Sequence, residues 1–160
     1  MTRSPSSTHK GLYTPEQRAR RDATRWTLVQ GILAPLQFAV FAVSLVLVLR
    51  VLLTGEGYAV ATASVVLKTA ILALIMVTGA IWEKVVFGQY LFAPAFFWED
   101  VFSFGVIALH ALYIAALFGG WADPALQMWI ALAAYAAYVV NAAQFVLKLR
   151  AARLQTEAAA

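Results

Sequence analysis

Four long stretches without charge divide the chain. Trp26 to Leu49, Val101 to Ala122 and Pro124 to Leu147 carry no Asp, Glu, Lys or Arg. Each is longer than the about 20 residues that a helix rising 1.5 Å per residue needs to cross a hydrocarbon layer of about 30 Å. A fourth stretch, Ala59 to Trp82, is broken only by Lys68. Its ten Val, Leu and Ile residues each favour insertion by about 0.3–0.6 kcal/mol, against a cost of about 3 kcal/mol for one central lysine. Insertion wins, and the pattern predicts four spanning helices near 27–52, 59–82, 99–119 and 125–148. Before them, Thr14-Pro15-Glu16-Gln17 reads as an N-cap, a first-turn proline and a capping-box partner. A short basic helix is therefore expected to run from Pro15 into the first span. Residues 1–13 are expected to form a disordered tail, 14–154 the membrane domain and 155–160 a C-terminal tail. The loops Thr54 to Tyr58 and Gly120 to Asp123 are too short to build a site, and no internal repeat is visible.

Composition agrees with the pattern. Hydrophobic residues make up 62% of the 160 and charged residues 12%, with mean hydropathy +0.77. Soluble domains run nearer about 45–50% apolar and 25% charged, so a soluble enzyme and a disordered chain are both excluded. With no cysteine and only His9 and His110, disulfides, thiolate chemistry and His/Cys metal clusters are excluded too. Ten of the twelve basic residues fall on one side of the expected bundle: six before the first span, Lys84 between the second and third, and three after the fourth. Arg50 lies on the other side and Lys68 within the bilayer. The positive-inside rule then places both termini in the cytoplasm, making this an all-α, integral membrane four-helix bundle. The net charge of +4 suits an anionic lipid surface. Nucleic acid is not an expected partner, because the basic arm lacks interleaved aromatics and abuts a span. A full-length span behind a long polar leader also does not read as a cleavable signal peptide.

The few polar residues inside the membrane are the candidate chemistry. Between spans two and three, Glu83 to Trp98 holds Phe87, Tyr90, Phe92, Phe96, Phe97 and Trp98, interrupted by Gly88 and Pro94. Such a segment is either an interfacial aromatic anchor or the wall of a site for a flat ligand. The expected topology brings Gln30, Glu83, Lys84, Glu99, Asp100, Ser103, Asn141 and Gln144 to one cytoplasmic boundary. A deeper layer holds Gln37, Lys68 and His110. Asp100, Ser103, Ile107 and His110 share a helix face by their spacing, and Pro35 permits a kink between Gln30 and Gln37. Each group also has a plainer reading: headgroup-level charges, a snorkelling Lys68, or a histidine that bonds helix to helix. Ionisable groups within a membrane are nonetheless functional candidates. Together they suggest a pocket for a large amphiphilic ligand, open to the cytoplasmic leaflet, with carboxylates at the mouth and an imidazole deeper in.

The stretch MVTGAIWEKVVFGQYLFAPAFFWEDVF (Met76 to Phe102) resembles the membrane-bound 3-vinyl bacteriochlorophyllide hydratases of bacteriochlorophyll biosynthesis. TRWTLVQGILAPLQF (Thr24 to Phe38) and NAAQFVLKLRAARL (Asn141 to Leu154) are similar to the same family. The resemblance covers roughly Tyr13 to Leu154. It implies addition of water across the 3-vinyl group of a magnesium chlorin, giving a 1-hydroxyethyl group, in a bacterial cytoplasmic or intracytoplasmic membrane. It also implies no cofactor beyond the substrate's own magnesium, and contact with neighbouring enzymes of the pathway. Protonation of the terminal CH2 leaves a cation delocalised into the macrocycle, which water then attacks. A carboxylic acid in an apolar, aromatic setting can supply that proton. Glu83 and Asp100 are the first candidates and Glu99 the third. His110 is a candidate axial ligand to the substrate magnesium, and Lys84 or Lys68 a partner for its propionate. Gln30, Gln37, Ser103, Asn141, Gln144 and Tyr90 complete the expected binding set. The rival class is a non-catalytic pigment or quinone carrier, or an assembly subunit of a photosynthetic complex.

Overall fold

The computed structural model describes residues 11–157, and these are entirely helical apart from turns and short connections. A short helix α1 (Pro15–Ala23) precedes four long ones: α2 (Arg25–Thr54), α3 (Tyr58–Phe87), α4 (Phe97–Gly119) and α5 (Pro124–Glu157). The long four have the length and apolar composition of membrane spans. Their outward faces are unshielded hydrocarbon, with Leu53 82% and Phe118 80% exposed, as helices in lipid require. Tails 1–10 and 158–160 lie outside the described residues. Tyr13, counted above with the tail, is buried, and α5 continues through 155–157 because nothing in that polar stretch breaks a helix.

The expected N-terminal cap is present. Thr14 Oγ1 accepts from the Gln17 amide at 3.2 Å and Gln17 Oε1 accepts from the Thr14 amide at 2.9 Å. The expected continuous helix into the first span is not. Thr24 adopts an extended conformation (φ −86°, ψ 138°), closes α1 through its own N–H and caps α2 with its hydroxyl. A β-branched residue that satisfies both helix ends makes this a corner rather than a bend.

α2 packs along α3 and α4 along α5, while α2 meets α5 across the bundle. α3 and α4 touch only sparingly. The main core lies where α2, α3, α4 and α5 converge. There Phe41 meets Tyr135 and Tyr138 at ring separations of 5.4 and 5.0 Å, and the buried Ser44 hydroxyl bonds both Ser64 and Tyr135. A second, smaller core of Tyr13, Val86 and Phe96, backed by Trp82, Phe87 and Phe145, fastens the start of the chain and the α3–α4 connection to the end of the bundle that carries both described termini.

Candidate functional site

Between these two cores lies a cavity of about 620 Å³, walled by α2, α3 and α5 and closed at one side by the start of α4. From Thr27 to Gln37 along its α2 wall is about 15 Å at 1.5 Å per residue. Pro35 lies on this wall and leaves the Gly31 carbonyl without a helical donor. The α2 and α3 walls are pinned together by Trp82 Nε1, which donates to Thr27 Oγ1 at 2.9 Å, and by Gln30 Nε2, which donates to Thr78 Oγ1 at 2.7 Å.

The α3–α4 connection builds the chemistry. α3 runs past Glu83 and Lys84 to Phe87 and stops at Gly88, whose φ of 89° gives the left-handed C-cap that glycine adopts without strain. The chain then turns back through Phe92, the one non-glycine residue at positive φ (58°) among those described. This turn aims two successive amides inward. Phe92 N–H donates to Asp100 Oδ2 at 2.7 Å and Ala93 N–H donates to Glu83 Oε2 at 3.2 Å. Asp100 stands in the first turn of α4, where the helix N-terminus favours negative charge. The two amides are consecutive, so one turn brings the Glu83 and Asp100 carboxyls side by side. Both are buried, at 6% and 3% exposure, and both line the cavity.

Ser103, Asn141, Gln30 and Gln37 line the same cavity. Asn141 Nδ2 donates to Ser103 Oγ at 2.7 Å, and Ser103 in turn donates to the Glu99 carbonyl. The side-chain oxygens of Asn141 and Gln37 are buried without a protein partner. A polar ligand group or water that reached these two oxygens would find acceptors with no protein partner.

Other expected members go elsewhere. Glu99 is buried against Lys148, whose ammonium reaches Glu99 Oε2 at 2.6 Å and also bonds the Ala95 carbonyl. Lys84 turns outward to the Gly88 carbonyl, 5.4 Å from the exposed Tyr90 ring. Neither Lys84 nor Tyr90 reaches the cavity: Lys84 stands on the exposed side of α3, between the buried Glu83 and Val86, and Tyr90 follows the Gly88 cap on the exposed side of the connection. Gln144 Oε1 is buried but stands off the lining. Lys68 does not snorkel: it is fully buried, with Nζ 3.8 Å from the Tyr138 ring centre. His110 shares the buried face of α4 as its spacing predicts, but it lines a separate apolar cleft between α3 and α4. Its Nδ1 lies 2.8 Å from the Val106 carbonyl, so Nδ1 carries the proton and Nε2 is left as an unpartnered acceptor. The aromatic segment proves to be both anchor and wall: Phe96 and Leu91 line the cavity while Tyr90 and Trp98 face outward.

Two mouth residues, Tyr13 and Arg21, escaped the sequence reading. The signal for Tyr13 was an aromatic set immediately before a capping box, a position that commonly packs back on the fold. Arg21 had no signal that separated it from its basic neighbours.

A family model described as 2-vinyl bacteriochlorophyllide hydratase matches residues 13–151 of this chain. Among curated proteins, the 2-vinyl bacteriochlorophyllide hydratase of Cereibacter sphaeroides is 75% identical over 156 residues, covering 98% of this chain and 97% of the relative. The protein of the same name from Rhodobacter capsulatus is 71% identical over 156 residues, covering 97% and 91%. No solved structure matches.

Proposed function

This chain belongs to the 2-vinyl bacteriochlorophyllide hydratase family, and from that membership we propose that it hydrates the vinyl group of a chlorophyllide or bacteriochlorophyllide within the α2–α3–α5 cavity. The vinyl-bearing carbon is numbered 2 or 3 according to the macrocycle convention; the group is the same. The observation that carries the site assignment is the Glu83–Asp100 pair. It comprises two buried carboxyls from different helices, each held by one of two consecutive amides, facing a cavity within the about 300–1,000 Å³ range of small-molecule sites.

Glu83 acts as the acid and Asp100 as the base. The shorter amide bond falls on Asp100, at 2.7 Å against 3.2 Å, and suits the oxygen that carries charge. Glu83 transfers its proton to the terminal vinyl CH2, forming a C–H bond and leaving a cation on the inner carbon that the macrocycle delocalises. Water held by Asn141 Oδ1 attacks that carbon, and Asp100 takes the proton released. Asp100 then passes this proton to the neighbouring Glu83, which restores the acid. One water enters, one hydroxyethyl group results, and there is no net oxidation or reduction, so the reaction calls for neither nucleotide nor reductant. The pair's apolar surroundings exclude bulk water while the cation exists.

Gln37, which offers a hard oxygen donor on the cavity wall, would hold the substrate's magnesium in preference to His110, which lines the other cleft. The basic-residue asymmetry supports placing both termini and the cavity mouth at the cytoplasmic face of a bacterial inner membrane. The outward Tyr90 and Trp98 offer a surface for enzymes that deliver or collect the pigment.

The test is turnover. Membranes carrying the chain, supplied with chlorophyllide alone, are expected to give a product heavier by one water. Pigment recovered unchanged at one equivalent per chain would establish a carrier instead.

A further inference from the structure

Arg21 is the one cationic side chain among the described residues that lines the cavity. Its place is fixed from three sides. Thr27 Oγ1 donates to the Arg21 carbonyl at 2.6 Å, which sets the corner between α1 and α2. The guanidinium carbon lies 4.8 Å above the ring of Tyr13. That ring is 5% exposed and stacks on Phe87 at 5.8 Å. The guanidinium Nε and one terminal nitrogen rest on the same oxygen of Asp22, an exposed neighbour in sequence. A guanidinium has five N–H donors in a planar fork, so donors remain free, and an exposed pair of this kind is held weakly.

The cavity is otherwise acidic, through Glu83 and Asp100. Of the other candidate cations, Lys148 is held by Glu99 and Ala95 and Lys84 by the outward Gly88 carbonyl, while Lys68, whose Nζ has no hydrogen-bond partner, lies beneath Tyr138 and off the cavity lining. A ligand carboxylate entering this space meets repulsion at the acid pair and a prepared partner at the mouth.

Resting on the hydratase reading above, we infer that Arg21 binds the substrate's free propionate carboxylate and so selects unesterified pigment over its esters, while orienting the ring. On the macrocycle the propionate and the vinyl group stand on neighbouring pyrrole rings. Anchoring one at the mouth therefore leaves the other turned toward the Glu83–Asp100 wall. Tyr13 serves as the platform that keeps the fork in position.

Free-acid chlorophyllide and its methyl ester, each given to wild-type and Arg21→Gln membranes, separate this role from a structural one. The substitution is expected to raise KM for the acid about tenfold with kcat little changed and to leave KM for the ester where it was. Arg21→Lys is expected to recover part of the loss. An unchanged KM for the acid would overturn the assignment, as would an equal rise for acid and ester, which marks damage to the Tyr13 packing. The same acid-to-ester ratio is measured by pigment binding to the two proteins. Absence of hydration in the wild type thus counts against the hydratase reading alone, and an unmoved binding ratio against Arg21 alone.

Discussion

Glu83→Gln and Asp100→Asn isolate the proton from the architecture. Each replacement keeps a carbonyl oxygen where the carboxylate oxygen was. The Ala93 amide still finds its acceptor at about 3.2 Å and the Phe92 amide its acceptor at about 2.7 Å. What disappears is the transferable proton. Loss of one acid–base group lowers turnover by about 10²–10⁴-fold, equivalent to about 2.7–5.4 kcal/mol on the barrier. The two residues work as a unit, so the double variant is expected to be little slower than either single one. The assay follows product mass in membranes in H2O and in D2O. In D2O the wild-type product carries one non-exchangeable deuterium on the new methyl group. Pigment affinity of the variants should stay within about twofold of wild type. Either single variant turning over within threefold of wild type would refute the acid-pair mechanism.

Lys148→Met leaves the Glu99 carboxylate buried and alone, since its side chain is 8% exposed against 29% for Lys148. A fully buried broken pair costs about 3–5 kcal/mol, and partial exposure of the lysine brings the expectation to about 1–3 kcal/mol. This is read as a lower Tm in detergent, largely restored by adding Glu99→Gln; an unchanged Tm would contradict the clamp. Gln37→Leu is expected to weaken pigment binding while His110→Ala leaves it unchanged, and fluorescence titration giving the reverse order would return the magnesium to His110. Gly88→Ala forces a side chain to φ 89°. It should cost about 1–2 kcal/mol and lower kcat by displacing the amides that hold the acid pair, as followed by Tm and turnover together; full stability and activity would show that the cap does not govern the loop.

Hydrophobic length alone located the four spans to within a few residues at most of their ends, because an uninterrupted apolar run in lipid has one stable backbone solution. Two ends fall short, at 148 where α5 runs on to Glu157 and at 82 where α3 runs on to Phe87, and the second is instructive. Glu83 and Lys84 read as the close of the second span, yet a charge does not terminate a helix and Gly88 does. Extending the helix by that turn is what faces Glu83 toward Asp100. Face sharing was legible too: Asp100, Ser103 and His110 are all buried on α4, as their spacing required. Spacing does not reveal which neighbour covers each turn of that face. Asp100 and Ser103 meet the cavity walled by α2, α3 and α5, while His110, two turns further on, meets the cleft against α3. Arg21 was hidden for a similar reason, since the corner at Thr24 that carries it to the mouth depends on one residue's conformation.

Hydrating an apolar pigment requires an acid, a base, water and a greasy ring in one place, and the arrangement of charge explains how they coexist. Phe38, Val146 and Leu149 line the cavity and are 57%, 64% and 47% exposed, so the ring has a lateral path from lipid. Tyr13 and Arg21 mark the polar end through which water comes. A cation in direct contact with the acid pair would hold both carboxyls ionised and leave no proton to give. Lys148, the nearby candidate, is instead drawn aside by Glu99 and the Ala95 carbonyl. The carboxyls are steadied by backbone amides, which orient them without contributing a full charge. Glu99, one residue from Asp100, thus has a place in the structure apart from the proposed chemistry, as the partner of Lys148.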